Sequence, residues 1–223
     1  LEYRGYDSAG IAYLKDNKIN IEKEAGRIKN LKNKLNPKDK SNLAIGHTRW
    51  ATHGIPTRTN AHPHQVGKFT MVHNGIIENY LTLKEELLKN NYTFKSDTDT
   101  EIACAYLDYL YKQEKDILKS LQKLIQVIKG SYAFGIICED DKDHLYALRS
   151  SSPLIIALGQ DENYIASDVP AILKYTNKYL ILENYEIAKI SNDNVTIYNK
   201  DLQEVNKTIN TYEGTYESSI KGN

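Results

Sequence analysis

The chain changes its periodicity twice. In the middle third, apolar positions recur at helical spacing: Tyr80, Leu83 and Leu87 mark one stripe, which Asn90-Asn91 ends. Thr98-x-x-Glu101 has capping-box form, and Ile102, Ala105, Tyr106 and Tyr109 follow on one face. Ile117, Leu121, Leu124, Ile125 and Ile128 form a third stripe, with Gly130 expected to close it. Beyond Gly130 short apolar runs bounded by turn residues predict strands: Ser131–Cys138, Leu145–Leu148, Leu154–Leu158, Tyr164–Ala166, Tyr179–Leu182, Glu186–Ile190 and Val195–Tyr198. Earlier strands are expected at Ile19–Lys23, Leu43–Gly46 and Phe69–His73, and a short surface helix through Ile28, Leu31 and Leu35. Strands, then helices, then many short strands point to an α+β layered domain, not to alternating βαβ units. No internal repeat or flexible linker divides the chain, so residues 1–223 read as one domain.

Composition adds three limits. The 29 basic and 29 acidic residues cancel, which argues against a nucleic acid or an anionic bilayer as partner. No run approaches a membrane span. The two cysteines, Cys104 and Cys138, make no disulfide framework and have no electropositive sequence neighbour, so they read as packing residues in a reducing, cytoplasmic setting. The chain opens on Leu1 and its only methionine is Met71, so it is read as part of a longer product.

Chemically capable side chains gather in two segments, His47–Gly54 and Asn60–Gln65, which hold four of the 6 histidines and the single Trp50. Gly54, Pro56 and Pro63 suggest a loop held by a scaffold. His62-x-His64 has a chelating spacing, but no acidic residue or cysteine stands between His47 and His64 to complete a metal site. Hydrogen bonding of the histidines to loop backbone is the plainer alternative. Arg49 offers a fork of donors suited to a carboxylate, or serves as a surface ion-pair partner. His73-Asn74-Gly75 lies between an expected strand and an expected helix. It reads equally as a tight turn or as a turn aiming the Asn74 amide and the Gly75 N–H at one oxyanion. Asp99 reads as a residue of a helix N-terminus, or as a carboxylate awaiting a cation. Tyr3–Gly10 reads as a glycine-flanked polar turn.

Taken together, Leu1–Gly10, Gly46–Gly54, Asn60–His64, His73–Asn79, Ser96–Glu101, Arg149–Leu154 and Ile165–Asp168 resemble the glutaminase domain of the glutamine–fructose-6-phosphate aminotransferases, which are class II glutamine amidotransferases. The resemblance runs end to end and in order. It implies an N-terminal-nucleophile hydrolase fold, a four-layer αββα sandwich with antiparallel sheets. It also implies roles: Arg49 for the α-carboxylate of L-glutamine, Asp99 for its α-ammonium, and Asn74 with Gly75 as the oxyanion hole. Thr52, His53 and Gly75 match positions lining the glutamine pocket, His62 a histidine near it, and Trp50 a residue gating ammonia. Arg4 and Asp7 match a motif packed beside the nucleophile. No cofactor and no metal are implied.

In that family the nucleophile is an amino-terminal cysteine on a central strand, upstream of the Arg-Gly-Tyr-Asp motif; neither Cys104 nor Cys138 matches it. The sugar isomerase half, which acts on fructose 6-phosphate, is expected outside this sequence, and the full-length protein is expected to be a homodimer. The 223 residues by themselves are accordingly expected to lack their first strand, to be marginally stable and to hydrolyse no glutamine. A non-catalytic module that binds glutamine or glutamate is the alternative.

Overall fold

The computed structural model describes residues 2–50 and 54–214. A 3-10 turn at Glu2–Arg4 leads into a hairpin of β1 (Ser8–Lys15) and β2 (Lys18–Ala25), then a short helix α1 (Ile28–Lys32) and β3 (Ala44–Arg49). Asp16 and Asn17 join the hairpin with positive φ angles of 51° and 63°, the geometry a two-residue turn requires. A second hairpin, β4 (His64–Val66) and β5 (Phe69–Ile77), precedes three helices: α2 (Tyr80–Lys89), α3 (Asp99–Glu114) and α4 (Ile117–Val127). The remaining strands are β6 (Gly130–Cys138), β7 (Asp141–Ser150), β8 (Ile155–Leu158), β9 (Asn163–Ala166), β10 (Lys178–Ile181), β11 (Ile187–Ile190), β12 (Val195–Tyr198) and β13 (Asn210–Thr211), with a 3-10 turn at Val169–Ala171.

Strand pairing is antiparallel throughout the described sheets. One sheet has six strands in the order β12-β11-β7-β6-β5-β4. The second layer comes in two pieces, β2-β1-β3 and β13-β10-β8-β9. The two-residue period of β5, β6 and β7 sorts their side chains between two cores. Phe69, Met71, Phe134, Ile136, Tyr146 and Leu148 pack under α2, α3 and α4. Val72, Ala133, Ile137, Leu145 and Ala147 face the other way, against Ala12 and Ile45 of one piece and Ile156 and Leu180 of the other. The result is the α+β sandwich expected: helices, sheet, sheet, and an outer cover in which α1 packs on β1 and β2 while Val169 and Ile172 cover β8.

Two local expectations change. Tyr3–Gly10 is not simply a turn: β1 starts at Ser8. Gly130 does not close α4; the helix ends at Val127, Ile128 is already extended, and Gly130 opens β6 with φ at +121°. Neither start is marked by an apolar run of its own; Ser8 pairs with Ala25 and Arg49, and Gly130 with Ile77.

Candidate functional site

A cavity of about 580 Å³ opens between the two sheet layers. Its walls are the edge strand β3, through Gly46–Arg49, and the edge strand β9, through Tyr164–Ala166. Its floor is β5 and β6, through Val72, Asn74, Ala133 and Gly135, and the N-terminus of α3 closes one end through Thr98, Asp99 and Thr100. Two strand edges thus face one cavity, one from each piece of the second layer.

Asn74 and Gly75 do not form a turn. β5 pairs with β6 without a register break from Phe69↔Cys138 to Ile77↔Gly130, so both residues lie inside a strand. The edge of β5 away from β6 is free beyond the short β4, and its amides are spoken for in alternation. The His73 N–H donates to His62 Nδ1 at 3.3 Å, and the Ile77 N–H donates to Asp99 Oδ2 at 2.8 Å. Two-residue periodicity puts the Gly75 N–H on that same edge, between them and at the cavity. Only glycine fits there: φ is +120°, and a Cβ would run into the Ser131 carbonyl oxygen. The Asn74 side chain also enters the cavity, its Nδ2 donating to Ser167 Oγ at 2.8 Å and its Oδ1 accepting from His47 Nε2, also at 2.8 Å.

Arg49 ends β3 and is 5 % exposed. Its guanidinium donates to the Gly54 carbonyl at 3.1 Å and the Ile55 carbonyl at 3.3 Å, which fix the fork in direction. Burial pulls its pKa below the ordinary value, while Asp7 and Asp99 act in the opposite sense. Asp99 is the first residue of α3, behind Thr98, whose side chain accepts the Glu101 N–H as N-cap. A carboxylate there is favoured by the helix dipole. One Asp99 oxygen is taken by Ile77; the other lies 4.0 Å from His73 Nδ1. Arg49, Asp99, Asn74 and Gly75 therefore share one cavity, a cation, an anion and two N–H donors together.

Around them lies a stack of imidazoles, His62, His64 and His73 buried and His47 half-buried at the cavity. The His47 and His62 rings are 4.3 Å apart and parallel, and His64 meets His62 edge-on at 5.1 Å. The Thr100 hydroxyl is shared between His73 Nδ1 at 2.9 Å and His62 Nε2 at 3.2 Å, and Thr98 Oγ1 meets His64 Nε2 at 3.0 Å. Burial drives the pKa of His47 down to about 4 and of His64 to about 3, and that of His62 well below its ordinary value. Hydroxyls, the Asn74 amide and the His73 N–H meet these ring nitrogens, except His47 Nδ1 and His73 Nε2, and no group of three or more metal-suited side chains forms among the described residues.

Arg4 reaches the cavity rim and pairs with Asp168 at 2.7 Å, which also accepts from Tyr3 Oη at 2.7 Å. Gly5 allows this turn to press on β3, since a Cβ there would stand 2.6 Å from the Arg49 carbonyl carbon. Asp7 lies behind, its N–H donating to the Arg49 carbonyl at 3.1 Å and its carboxylate accepting from Ser8 Oγ, also at 3.1 Å. Trp50 stands at the mouth, 64 % exposed and edge-to-face with Tyr6. Thr52 and His53 lie outside the described residues. Cys104 and Cys138 are buried away from the cavity lining, and burial raises both thiol pKa values, that of Cys138 to about 11. The expected loop is partly strand, because His47–Arg49 belong to β3 and His64–Gln65 to β4. Sequence reasoning gave no role to His47, Thr100 or Ser167, although all three stand inside the motifs it singled out.

Comparison with known proteins agrees with this architecture. Residues 47–174 match the family described as "Glutamine amidotransferase domain". The chain is 48% identical over 225 residues to a glutamine–fructose-6-phosphate aminotransferase (isomerizing) of Fusobacterium nucleatum, and 47% identical over 226 residues to one of Caldanaerobacter subterraneus. In both cases all of this chain is covered but 37% of the relative, so the sequence spans little more than a third of those proteins. Among solved structures, a glutamine phosphoribosylpyrophosphate amidotransferase of B. subtilis superposes with a TM-score of 0.75 at 24% identity, over 91% of this chain and 45% of that one. A structure described as the allosteric regulatory enzyme of purine biosynthesis gives 0.73 at 26%, with the same coverage. The fold is that of the N-terminal-nucleophile hydrolase amidotransferases.

Proposed function

The chain belongs to the glutamine amidotransferase domain family, and from that premise we propose that the cavity between β3 and β9 binds L-glutamine for release of its side-chain ammonia. The observation that carries this reading is the meeting of Arg49, Asp99, Asn74 and Gly75 in one cavity. Arg49 would receive the α-carboxylate through its fork. Asp99 would receive the α-ammonium on the oxygen that Ile77 leaves open. The Asn74 Nδ2 and the Gly75 N–H would then polarise the side-chain carbonyl and stabilise the oxyanion formed on attack. His62 supports the wall, Trp50 stands over the exit, Asp7 braces β3 and Arg4 ties the rim to Asp168.

By the resemblance, the nucleophile this chemistry needs would be an amino-terminal cysteine on a further strand, for which the unpaired sides of β3 and β9, each the edge of its sheet, would offer a place. Its thiol would add to the carboxamide carbon with its own α-amino group as base; ammonia would leave, and water would hydrolyse the thioester to glutamate. In a full-length homodimer, a sugar isomerase half would use the ammonia to convert fructose 6-phosphate to glucosamine 6-phosphate. Support for that larger role comes from the names and identities of the curated relatives.

The 223 residues alone should then bind glutamine without hydrolysing it, since loss of a nucleophile costs about 10⁶ in kcat. Titration calorimetry with L-glutamine, followed by an ammonia assay on the same sample, tests both halves. Saturable heat with no ammonia above the blank is expected. No heat would sink the binding site, and sustained ammonia release would sink the assignment of the nucleophile.

A further inference from the structure

An amide is nearly symmetric in shape but not in function. One end of the Asn74 side chain offers two N–H donors, the other only accepts. An oxyanion is stabilised by the first end and repelled by the second, so a donor site built on asparagine needs something that decides which way the amide faces. We propose that His47 is that positioning residue, with Ser167 as its counterpart on the far side of the cavity. This deepens, and rests on, the reading of Asn74 as an oxyanion donor.

The geometry is specific. Asn74 Oδ1 lies 2.8 Å from His47 Nε2. A carbonyl oxygen can only accept, so the imidazole proton sits on Nε2, and Nδ1 is the bare nitrogen. His47 Nδ1 is buried and makes no hydrogen bond of normal geometry among the described residues, the His73 backbone being the other polar neighbour of the ring. The ring cannot easily rotate to exchange its nitrogens, because it is stacked on His62 at 4.3 Å inside the layer. Burial also keeps it neutral, with the pKa pulled down to about 4, so a single N–H is available. At the opposite end, Nδ2 spends one proton on Ser167 Oγ at 2.8 Å and keeps the second for the cavity. His47 lies on β3, Asn74 on β5 and Ser167 just after β9. The chain of bonds therefore spans both pieces of the second layer and the floor between them. His47 acts through Asn74 and needs no contact with a ligand itself.

The test uses the 223-residue chain labelled with ¹⁵N. Long-range ¹H–¹⁵N spectra report which nitrogen of His47 carries the proton, and the side-chain amide cross-peaks of Asn74 report its anchoring. The expected result is a proton on Nε2 and a well-separated Asn74 pair. His47→Gln, whose terminal NH₂ sits near the place of Nε2, should keep that pair. His47→Phe, which fills the ring space without a donor, should collapse it toward averaged positions. Loss of one oriented hydrogen bond should weaken L-glutamine binding roughly fivefold in His47→Phe. L-Norvaline has the same α-groups and no carboxamide, and its affinity should stay within about twofold in all three chains. A proton on Nδ1, or wild-type Asn74 cross-peaks in His47→Phe, would overturn the assignment. The tautomer is read on the unsubstituted chain, so a His47→Phe variant that fails to fold does not remove the test. Spectra as expected without any glutamine binding would instead overturn the glutamine reading and leave the His47 role in place.

Discussion

Arg49 carries two demands that pull against each other. It is buried, which disfavours its charge, yet it holds the cavity's cation. The conflict is eased by two backbone carbonyls, Gly54 and Ile55, that accept from the guanidinium and leave it aimed. A lysine would preserve the charge but not the planar fork, and it would leave at least one carbonyl unmet. Arg49→Lys should therefore weaken L-glutamine roughly ten- to thirtyfold, about 1.4–2 kcal/mol, while the fold stays intact. Calorimetry on both chains checks this; equal affinities would take the carboxylate role away from Arg49. At this scale it was the resemblance that singled out Arg49, Asn74 and Asp99, since residue type alone left a surface ion pair, a turn and a helix N-terminus equally open; the fold brings all three to one cavity. His47, Thr100 and Ser167 were not legible in the same way. Their roles depend on partners 27 residues away for His47 with Asn74 and for Thr100 with His73, and 93 for Ser167 with Asn74, which only folding supplies.

Among the elements, α3 matters most to the site, since its first turn delivers Thr98, Asp99 and Thr100. The capping signal was readable: Thr98 accepts the Glu101 N–H, and the Glu101 carboxylate reaches back to the Lys95 and Ser96 amides. Thr98→Ala should lower stability by about 1–2 kcal/mol, the usual cost of an N-cap. Because Thr98 Oγ1 also meets His64, glutamine affinity should fall with it. Urea unfolding of the wild type, Thr98→Ala and Thr98→Ser would decide it; serine should recover most of the loss, and an unshifted midpoint for alanine would remove Thr98 from this role. The helices were legible because their stripes are local. β1 and β4 were not: Ser8–Lys15 starts among small and polar residues, and His64–Val66 is three residues paired to Met71–Phe69. Their strand character is conferred by neighbours, and the continuity of β5 through Asn74-Gly75 likewise follows from β6.

For the molecule as a whole, the imidazole stack makes stability a function of pH. His47, His62 and His64 are held neutral by burial, with folded pKa values of about 4, well below ordinary, and about 3. Unfolded, each would titrate near 6.5. Above that pH neither state binds the proton, and the full stability is present. As pH falls below it, the unfolded chain takes up protons the folded chain refuses, so stability is lost progressively down to the folded values. Each such proton is worth about 1.4 kcal/mol per pH unit, so three approach roughly 4 kcal/mol per unit once all titrate. Against a typical total of about 5–15 kcal/mol, that is a large share of the stability to lose by pH 5. The carboxylates act in a separate, lower window. Asp140, held down by Tyr111, and Glu24, held down by Lys34, begin from ordinary values of 3.8 and 4.5. The loss between pH 6.5 and 5 therefore belongs to the histidines. Tm measured at pH 7.5, 6.5, 5.5 and 5.0 should be flat above 6.5 and fall steadily below it, and His64→Gln should flatten that fall by about one third. A Tm that holds constant down to pH 5 would mean the stack admits protons in the folded state. The neutral imidazole that orients Asn74 would then be lost with it.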